Sequence, residues 1–170
     1  TVIIATGANA KWLGIPGEDR LQNLGVSACA VCDGFFFRKQ DVAIVGGGDT
    51  AAEESTYLAK ICKTVHLLVR RDEMRASKIM QERVLKTSNI IVHWNSVTEE
   101  ILGDTEVEAM RIKNTVTGEE KVIPVKGFFV AIGHKPNTDI FKGWLDMDEA
   151  GYLIPVPGSS KTKIEGVFVS

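Results

Sequence analysis

Several absences constrain the sequence before any motif does. Its 170 residues contain no apolar run near the roughly 18 residues that a membrane-spanning helix needs. The opening Thr1-Val2-Ile3-Ile4-Ala5-Thr6-Gly7 is too short for a secretory signal and has no basic flank. Charge of one sign is missing too: 20 Lys and Arg against 22 Asp and Glu leave a net charge of −2. Such a chain has no electrostatic surplus to hold a phosphate backbone or an anionic lipid surface, so nucleic acid and membranes are excluded as main partners. Cysteine is scarce: three residues, an odd number, do not make a secreted disulfide framework, and a reducing, cytoplasmic setting is expected. No internal repeat and no low-complexity stretch is present. What remains, 44% hydrophobic and 25% charged residues, is the composition of about one ordinary globular domain with a sizeable core. The first residue is not methionine, and both ends fall in strand-like segments, so a piece of a longer protein is expected.

Residues 1–5 form a β-branched run ended by Thr6-Gly7, and Asp41-Val42-Ala43-Ile44-Val45 is a second apolar run ended by glycines. Both read as buried strands. Beyond the glycines, Ala51, Ser55, Leu58 and Cys62 recur at i, i+4, i+7 and i+11, which lays a small-residue face along a helix packed on a sheet. Residues 64–69 read as a strand, followed by a helix carrying Ala76, Ile79, Met80 and Val84 on one side and ending near Asn89. This is a βαβα unit, and a right-handed crossover sets the Val42 and Val65 strands side by side and parallel. From Ile90 the texture changes to short extended runs at 90–93, 96–102, 106–114 and 121–125. The turn signals Gly103-Asp104 and Thr117-Gly118 separate neighbours, so an antiparallel meander is predicted. Residues 127–133 supply one more buried strand. The tail after His134, with Pro136, Pro155, Pro157 and Gly158, reads as loop-rich and leaning on something outside the chain. The expected fold class is α/β: a Rossmann-like three-layer domain with a central parallel sheet plus an antiparallel β-meander.

Gly46-Gly47-Gly48-Asp49-Thr50-Ala51 has the form G-x-G-x-x-A between a predicted strand and a predicted helix. In that setting Gly46 permits a tight turn, Gly48 lets the backbone approach a pyrophosphate, and Ala51 lets helix and strand pack closely. The pyrophosphate would sit on the helix N-terminus, where unpaired N–H groups and the dipole favour negative charge. A merely structural turn is the competing reading. The end of the next strand distinguishes the dinucleotides, because an NAD site usually places an acidic residue there. Here the chain runs Val69-Arg70-Arg71-Asp72-Glu73-Met74-Arg75. Arginines just before and inside the first turn of a helix oppose its dipole, and bidentate guanidinium contacts suit a 2′-phosphate. Arg70, Arg71 and Arg75 therefore point to NADP(H). The alternative is a solvated surface group neutralised by Asp72 and Glu73.

Cys29-Ala30-Val31-Cys32-Asp33-Gly34 carries two thiols at the spacing that closes a small disulfide loop, with a carboxyl beside the second. At a helix start a thiolate gains from the dipole, and the neighbouring carboxyl can shuttle the proton that thiol chemistry needs. Zinc competes for any C-x-x-C, but Cys62 and His66 lie on a helix face and a strand, with no second C-x-x-C to complete a site. Inert thiols are the third reading. Cys62 itself is a small core residue.

Five segments, in this order, resemble the low-molecular-weight thioredoxin reductases over the whole chain. They are Ala5-Thr6-Gly7-Ala8, Ser27-Ala28-Cys29-Ala30-Val31-Cys32-Asp33-Gly34, Val45 through Ala51, Arg70 through Ser77, and Ala131-Ile132-Gly133-His134-Lys135-Pro136-Asn137-Thr138. The resemblance implies an NADPH-binding domain inserted in an FAD-binding domain, in a homodimeric flavoprotein. Residues 1–8 would then be the end of the FAD domain and a hinge. Residues 9–132 would be the NADPH domain with its redox-active disulfide, and 133–170 the second hinge and the return into the FAD domain. Electrons would pass from NADPH to FAD, to the Cys29–Cys32 disulfide, and on to thioredoxin or a thioredoxin-like protein. On that pattern Cys32 is the flavin-proximal sulfur, Cys29 attacks the substrate, and Asp33 is the acid/base. Gly46, Gly47, Gly48, Asp49, Thr50, Ala51, Arg70, Arg71, Arg75, Ile132 and Gly133 would serve NADPH, and Thr6 and Gly7 the flavin side. Rotation of the inserted domain about hinges near Gly7-Ala8 and Gly133-His134 would let both stations reach one flavin; an ordinary strand-end turn is the competing reading of Gly133.

Two residues depart from the family pattern: Val31 stands where threonine is frequent and Val69 where histidine is frequent. The first leaves the sulfur chemistry intact, and the second removes one possible phosphate donor. The flavoprotein that supplies an alkyl hydroperoxide peroxidase shares this core and is the alternative enzyme. The 170 residues taken alone are expected to be an NADP(H)-binding module without turnover.

Overall fold

The computed structural model describes all 170 residues. The chain divides into two units, one of residues Trp12–Ile132 and one that gathers Thr1–Lys11 with Gly133–Ser170. In chain order the elements are β1 (Val2–Ile4), β2 (Ala8–Ala10), β3 (Val26–Ser27), α1 (Ala30–Asp33), β4 (Asp41–Val45), α2 (Asp49–Ala59), β5 (Thr64–Leu68) and α3 (Lys78–Lys86). There follow β6 (Ile90–His93), β7 (Ser96–Leu102), β8 (Ala109–Asn114), β9 (Glu120–Pro124), β10 (Gly127–Val130), β11 (His134–Pro136) and β12 (Val167–Val169).

Within Trp12–Ile132 a parallel sheet runs β3-β10-β4-β5-β6. Val42 stands opposite Val65, the parallel neighbour relation expected of a βαβ crossover. Alternation along the strands divides the side chains between two faces. Val42, Ile44, Val65, Leu67 and Phe129 point to the helix side, where Ala51, Ala52, Leu58 and Val84 meet them. Ala43, Leu68, Phe128 and Val130 point to the other face and bury Ile101, Met110 and Ile112 of a three-stranded antiparallel sheet, β7-β8-β9. Helices, parallel sheet and antiparallel sheet therefore form the three layers, in agreement with the expected fold class.

Four local features of this unit differ from the sequence reading. Ile90–His93, expected in the meander, is the outer parallel strand: α3 returns the chain across the sheet, and the Val65 N–H donates to the Asn89 carbonyl at 2.9 Å to start the pairing. The meander accordingly has three strands. The edge strand β3 has only two residues, too few to carry a period. Cys62, buried as expected, lies in the turn beyond α2. On α3, Val84 is buried and Met80 half-buried, but Ile79 is 69% exposed. The helix begins only at Lys78, so Ala76 does not set its phase, and Ile79 sits about 100° around the axis from Met80.

In the other unit β1 pairs in parallel with β12, and β2 antiparallel with β11; β1, expected to be a buried strand, buries only Ile4, while Val2 and Ile3 are exposed because the strand has a single neighbour in a two-stranded sheet. Ile140, Trp144 and Ile154 are exposed there. No helix of the chain is long and apolar enough to cross a membrane.

Candidate functional site

The connections after β3, β4 and β5 all leave the carboxyl ends of parallel strands. The sheet order reverses at β4: β5 and β6 extend to one side, β10 and β3 to the other. Open α/β sheets bind ligands in the crevice at such a reversal. The glycine-rich turn follows β4 directly.

A Cβ at Gly46 would overlap the Ala131 carbonyl oxygen and lie 2.6 Å from the Ala51 Cβ, so glycine here and alanine there let α2 close on the sheet. Gly48 is different: nothing lies within 4 Å of a Cβ built on it. It caps α2, an 11-residue helix whose first amides, at Asp49, Thr50 and Ala51, have no preceding turn to bond. Open space thus faces a ready set of N–H donors. The Gly47 carbonyl accepts the N–H groups of Arg75 and Ala76, at 2.6 and 3.1 Å, which roots the arginine loop beside the turn.

Arg70, Arg71 and Arg75 are all exposed, while Val69, Met74 and Ala76 between and beside them are buried and anchor the loop. None of the three arginines joins an ion pair, and neither do Asp72 or Glu73. Because α3 starts at Lys78, the arginines precede its first turn. The argument from helix-dipole opposition therefore loses its basis, and the tie to Gly47 takes its place. Asp49 also holds the fold together here, for its Oδ1 accepts the Ser77 N–H at 2.8 Å, and the hydrogen bonds from Ser77 hold its carboxyl below the usual carboxylate range. Open Gly48, the head of α2 and three unpaired guanidiniums fit a phosphorylated dinucleotide.

Ile132 ends the larger unit and packs against the meander-side core. Gly133 begins the other unit at φ +97°, a conformation that favours glycine, and its carbonyl accepts the Lys11 N–H at 3.0 Å. Thr6 and Gly7 are exposed, and their carbonyls accept from Asn137 at 3.1 and 2.9 Å.

Cys29 and Cys32 are joined in a disulfide, their Cα atoms 5.3 Å apart. Cys29 caps the one-turn helix α1, and its Sγ accepts the Cys32 N–H at 3.2 Å. A single turn carries little macrodipole, so this amide is the local donor that favours a thiolate on Cys29. Cys32 is exposed and Cys29 half-buried; access therefore runs against the expectation that Cys29 attacks the substrate. Asp33 is half-buried, and its Oδ2 accepts the Ser27 hydroxyl at 2.6 Å. Cys62 is free and buried, and burial pushes its thiol up to about 11. Such a thiol takes no part in thiolate chemistry at neutral pH.

Two features are not apparent from the sequence. Ser27 heads the Ser27–Gly34 segment but carries no role readable from it, because a hydroxyl six residues from a carboxyl gains meaning only when the chain folds back between them. Val31, between the two cysteines, and Phe35 and Phe36, just beyond Asp33-Gly34 in the chain, are exposed apolar side chains, the last 75% exposed, and the Arg38 guanidinium stacks 5.1 Å from the Phe35 ring centre. A run of aromatics next to C-x-x-C is the signal that could have found this rim.

A dinucleotide cradle and a cystine on one parallel sheet define enzymes that couple a pyridine nucleotide to a disulfide, and the chain belongs to the pyridine nucleotide-disulphide oxidoreductase family, matched over residues 1–170. Among its relatives, the thioredoxin reductase of Streptomyces coelicolor is 48% identical over 98% of this chain and 52% of its own length. The NADPH-dependent thioredoxin reductase 3 of Arabidopsis thaliana is 45% identical over 100% of the chain and 33% of its own. The solved thioredoxin reductase of Giardia duodenalis superposes with a TM-score of 0.88 at 41% identity, covering 99% of this chain and 55% of that one. The chain thus spans about half the length of the bacterial relative.

Proposed function

We propose that this chain is the nucleotide- and dithiol-bearing portion of an NADPH-dependent thioredoxin reductase. One observation carries the reading: the Cys29–Cys32 disulfide and the Gly46–Ala51 cradle sit at the carboxyl ends of β3 and β4 in one parallel sheet. The relatives' names supply the substrate, thioredoxin, and for one of them the cofactor, NADPH.

Gly48 and the head of α2 would receive the pyrophosphate, and Arg70, Arg71 and Arg75 the 2′-phosphate. Ile132 and Gly133 would border the nucleotide where the chain leaves the larger unit. Bound FAD would relay the electron pair from the nicotinamide to the disulfide, with Thr6 and Gly7 on its side. The chain's own residues then carry the exchange. The Cys29–Cys32 bond takes up two electrons and opens, its charge favoured on Cys29 by the Cys32 N–H. The exposed Cys32 sulfur, its proton taken by Asp33, attacks one sulfur of the substrate disulfide as thiolate and expels the other. Cys29 attacks the mixed disulfide, restoring the Cys29–Cys32 bond and releasing the second substrate sulfur. The two substrate thiolates take up two protons, one returned by Asp33 and one from water. The apolar rim of Val31, Phe35 and Phe36 suits a protein substrate.

The flanking segments would belong to an FAD domain, with rotation about hinges near Gly7-Ala8 and Gly133-His134 and assembly as a cytoplasmic homodimer. The test is NADPH oxidation by the complete flavoprotein, with and without oxidised thioredoxin, in the parent and in Cys29→Ser. The variant should still reduce its flavin and should trap thioredoxin on Cys32. Loss of flavin reduction in the variant would refute this order of electron flow.

A further inference from the structure

We propose that Ser27 is a positioning residue for the dithiol, acting through Asp33 and the Cys29 amide; this rests on the reading of Asp33 as the proton-transfer group. Ser27 ends β3, next to the C-x-x-C turn, and is only 9% exposed. Its Oγ accepts the Cys29 N–H at 3.0 Å and donates to Asp33 Oδ2 at 2.6 Å. A hydroxyl has one proton to give. The Cys29 carbonyl lies 3.5 Å from the same oxygen, so the shorter contact to the carboxylate takes that proton. The Asp33 N–H in turn donates to the Cys29 carbonyl at 3.1 Å.

These bonds close a ring around the cysteine turn: Ser27 to the Cys29 amide, the Cys29 carbonyl to the Asp33 amide, and the Asp33 carboxylate back to Ser27. The ring ties the carboxyl group to the backbone of Cys29 and leaves Oδ1 as the oxygen that takes and returns a proton. Ser27 touches no substrate atom in this scheme; it fixes where Asp33 stands.

The experiment uses the complete flavoprotein as parent, Ser27→Ala, Ser27→Thr and Asp33→Asn. Three quantities are followed against pH: flavin reduction by NADPH, reoxidation by oxidised thioredoxin, and alkylation of the reduced dithiol by iodoacetamide. In Ser27→Ala, flavin reduction stays at the parental rate. Reoxidation falls about tenfold at neutral pH, the loss of one hydrogen bond to a charged group. Alkylation also slows at neutral pH and recovers toward high pH, where the thiols ionise without a base, because the misplaced carboxyl no longer meets them. Ser27→Thr, which keeps the hydroxyl, restores both. Should Ser27→Ala fail to retain flavin, Ser27→Cys, similar in size and a weak donor, is measured in its place and is expected between alanine and parent.

Thiol profiles unchanged in Ser27→Ala, or a uniform loss that threonine does not repair, would overturn the proposal. If the parent reduces no thioredoxin, the substrate assignment fails, yet the alkylation profiles still decide the role of Ser27. If Asp33→Asn matches the parent in alkylation while Ser27→Ala shifts, Asp33 is not the intermediary and the proposal fails on that count.

Discussion

Removing one arginine from the loop after β5 should cost NADPH about tenfold in affinity and leave NADH unaffected. Arg70, Arg71 and Arg75 are exposed and engage no carboxylate, so an arriving phosphate displaces no internal partner. The loop that presents them is held by Met74 in the core and by the two N–H bonds of Arg75 and Ala76 to the Gly47 carbonyl. A hydrogen bond to a charged group contributes about 1.5–3 kcal/mol, and exposure places these contacts at the lower end. About 1.4 kcal/mol is a tenfold change in affinity, so Arg71→Ala or Arg75→Ala should weaken NADPH about tenfold and the pair together about a hundredfold. The effect should shrink with added salt, since the Debye length is about 10 Å at 0.1 M ionic strength. Calorimetric titration of the parent and the three variants with NADPH and NADH measures it. An equal loss for both nucleotides, or none for NADPH, would refute the placement of the 2′-phosphate among these guanidiniums.

Two further perturbations separate structure from binding. Gly46→Ala should lower stability by about 1–3 kcal/mol, because the new methyl group overlaps the Ala131 carbonyl and crowds the Ala51 Cβ. Gly48→Ala should unfold like the parent while its methyl group, free of protein neighbours, obstructs the pyrophosphate; melting curves and NADPH titration of the two variants test the contrast, and equal melting points would contradict it. A pH effect is expected from the paired imidazoles of β5 and β6: His66 Nδ1 and His93 Nε2 lie 3.0 Å apart, so one proton serves both. Burial, then the neighbouring His66 and Lys121, push His93 down to about 4. Since the unfolded imidazole ionises near 6.5, the unfolded state binds the proton first. Stability is present above that value and is lost as pH falls toward 4, by about 1–2 kcal/mol after allowance for partial exposure. His93→Gln should flatten the fall in Tm between pH 7 and 5, and parallel curves would count against it.

Periodicity makes the helix face and the buried strands legible. Ala51, Ser55 and Leu58 are buried where the 3.6-residue period puts them, and Val42 pairs with Val65 as a crossover requires. Ile90–His93 reads with the meander because a four-residue apolar run looks the same in a parallel and an antiparallel sheet; the deciding contact, Val65 N–H to the Asn89 carbonyl, is tertiary. Val26–Ser27 is shorter than any period. Ile79 falls on the expected buried side of α3 only if Ala76 is counted in the helix, and α3 starts two residues after it.

The candidate site divides along a similar line. Spacing alone brings out the thiol pair and the glycine turn, since both are local: two residues lie between the cysteines, and three glycines stand in sequence. The bonds that give these motifs their chemistry join segments that only folding brings together. Arg75 reaches Gly47 across a strand and its loop, and Asp49 reaches Ser77 from the head of another helix. Ser27 and Asp33 are close in sequence, yet a β3 end and a one-turn helix must meet before hydroxyl and carboxylate come within 2.6 Å. Asp49 illustrates the cost of reading a motif as a block. Its position in G-x-G-x-x-A suggests a cofactor contact, but its carboxylate is spent on the Ser77 amide, and this bond sets the start of α3 beside the turn. Replacing Asp49 should therefore disturb nucleotide binding through the position of the arginine loop, with NADPH and NADH affected unequally.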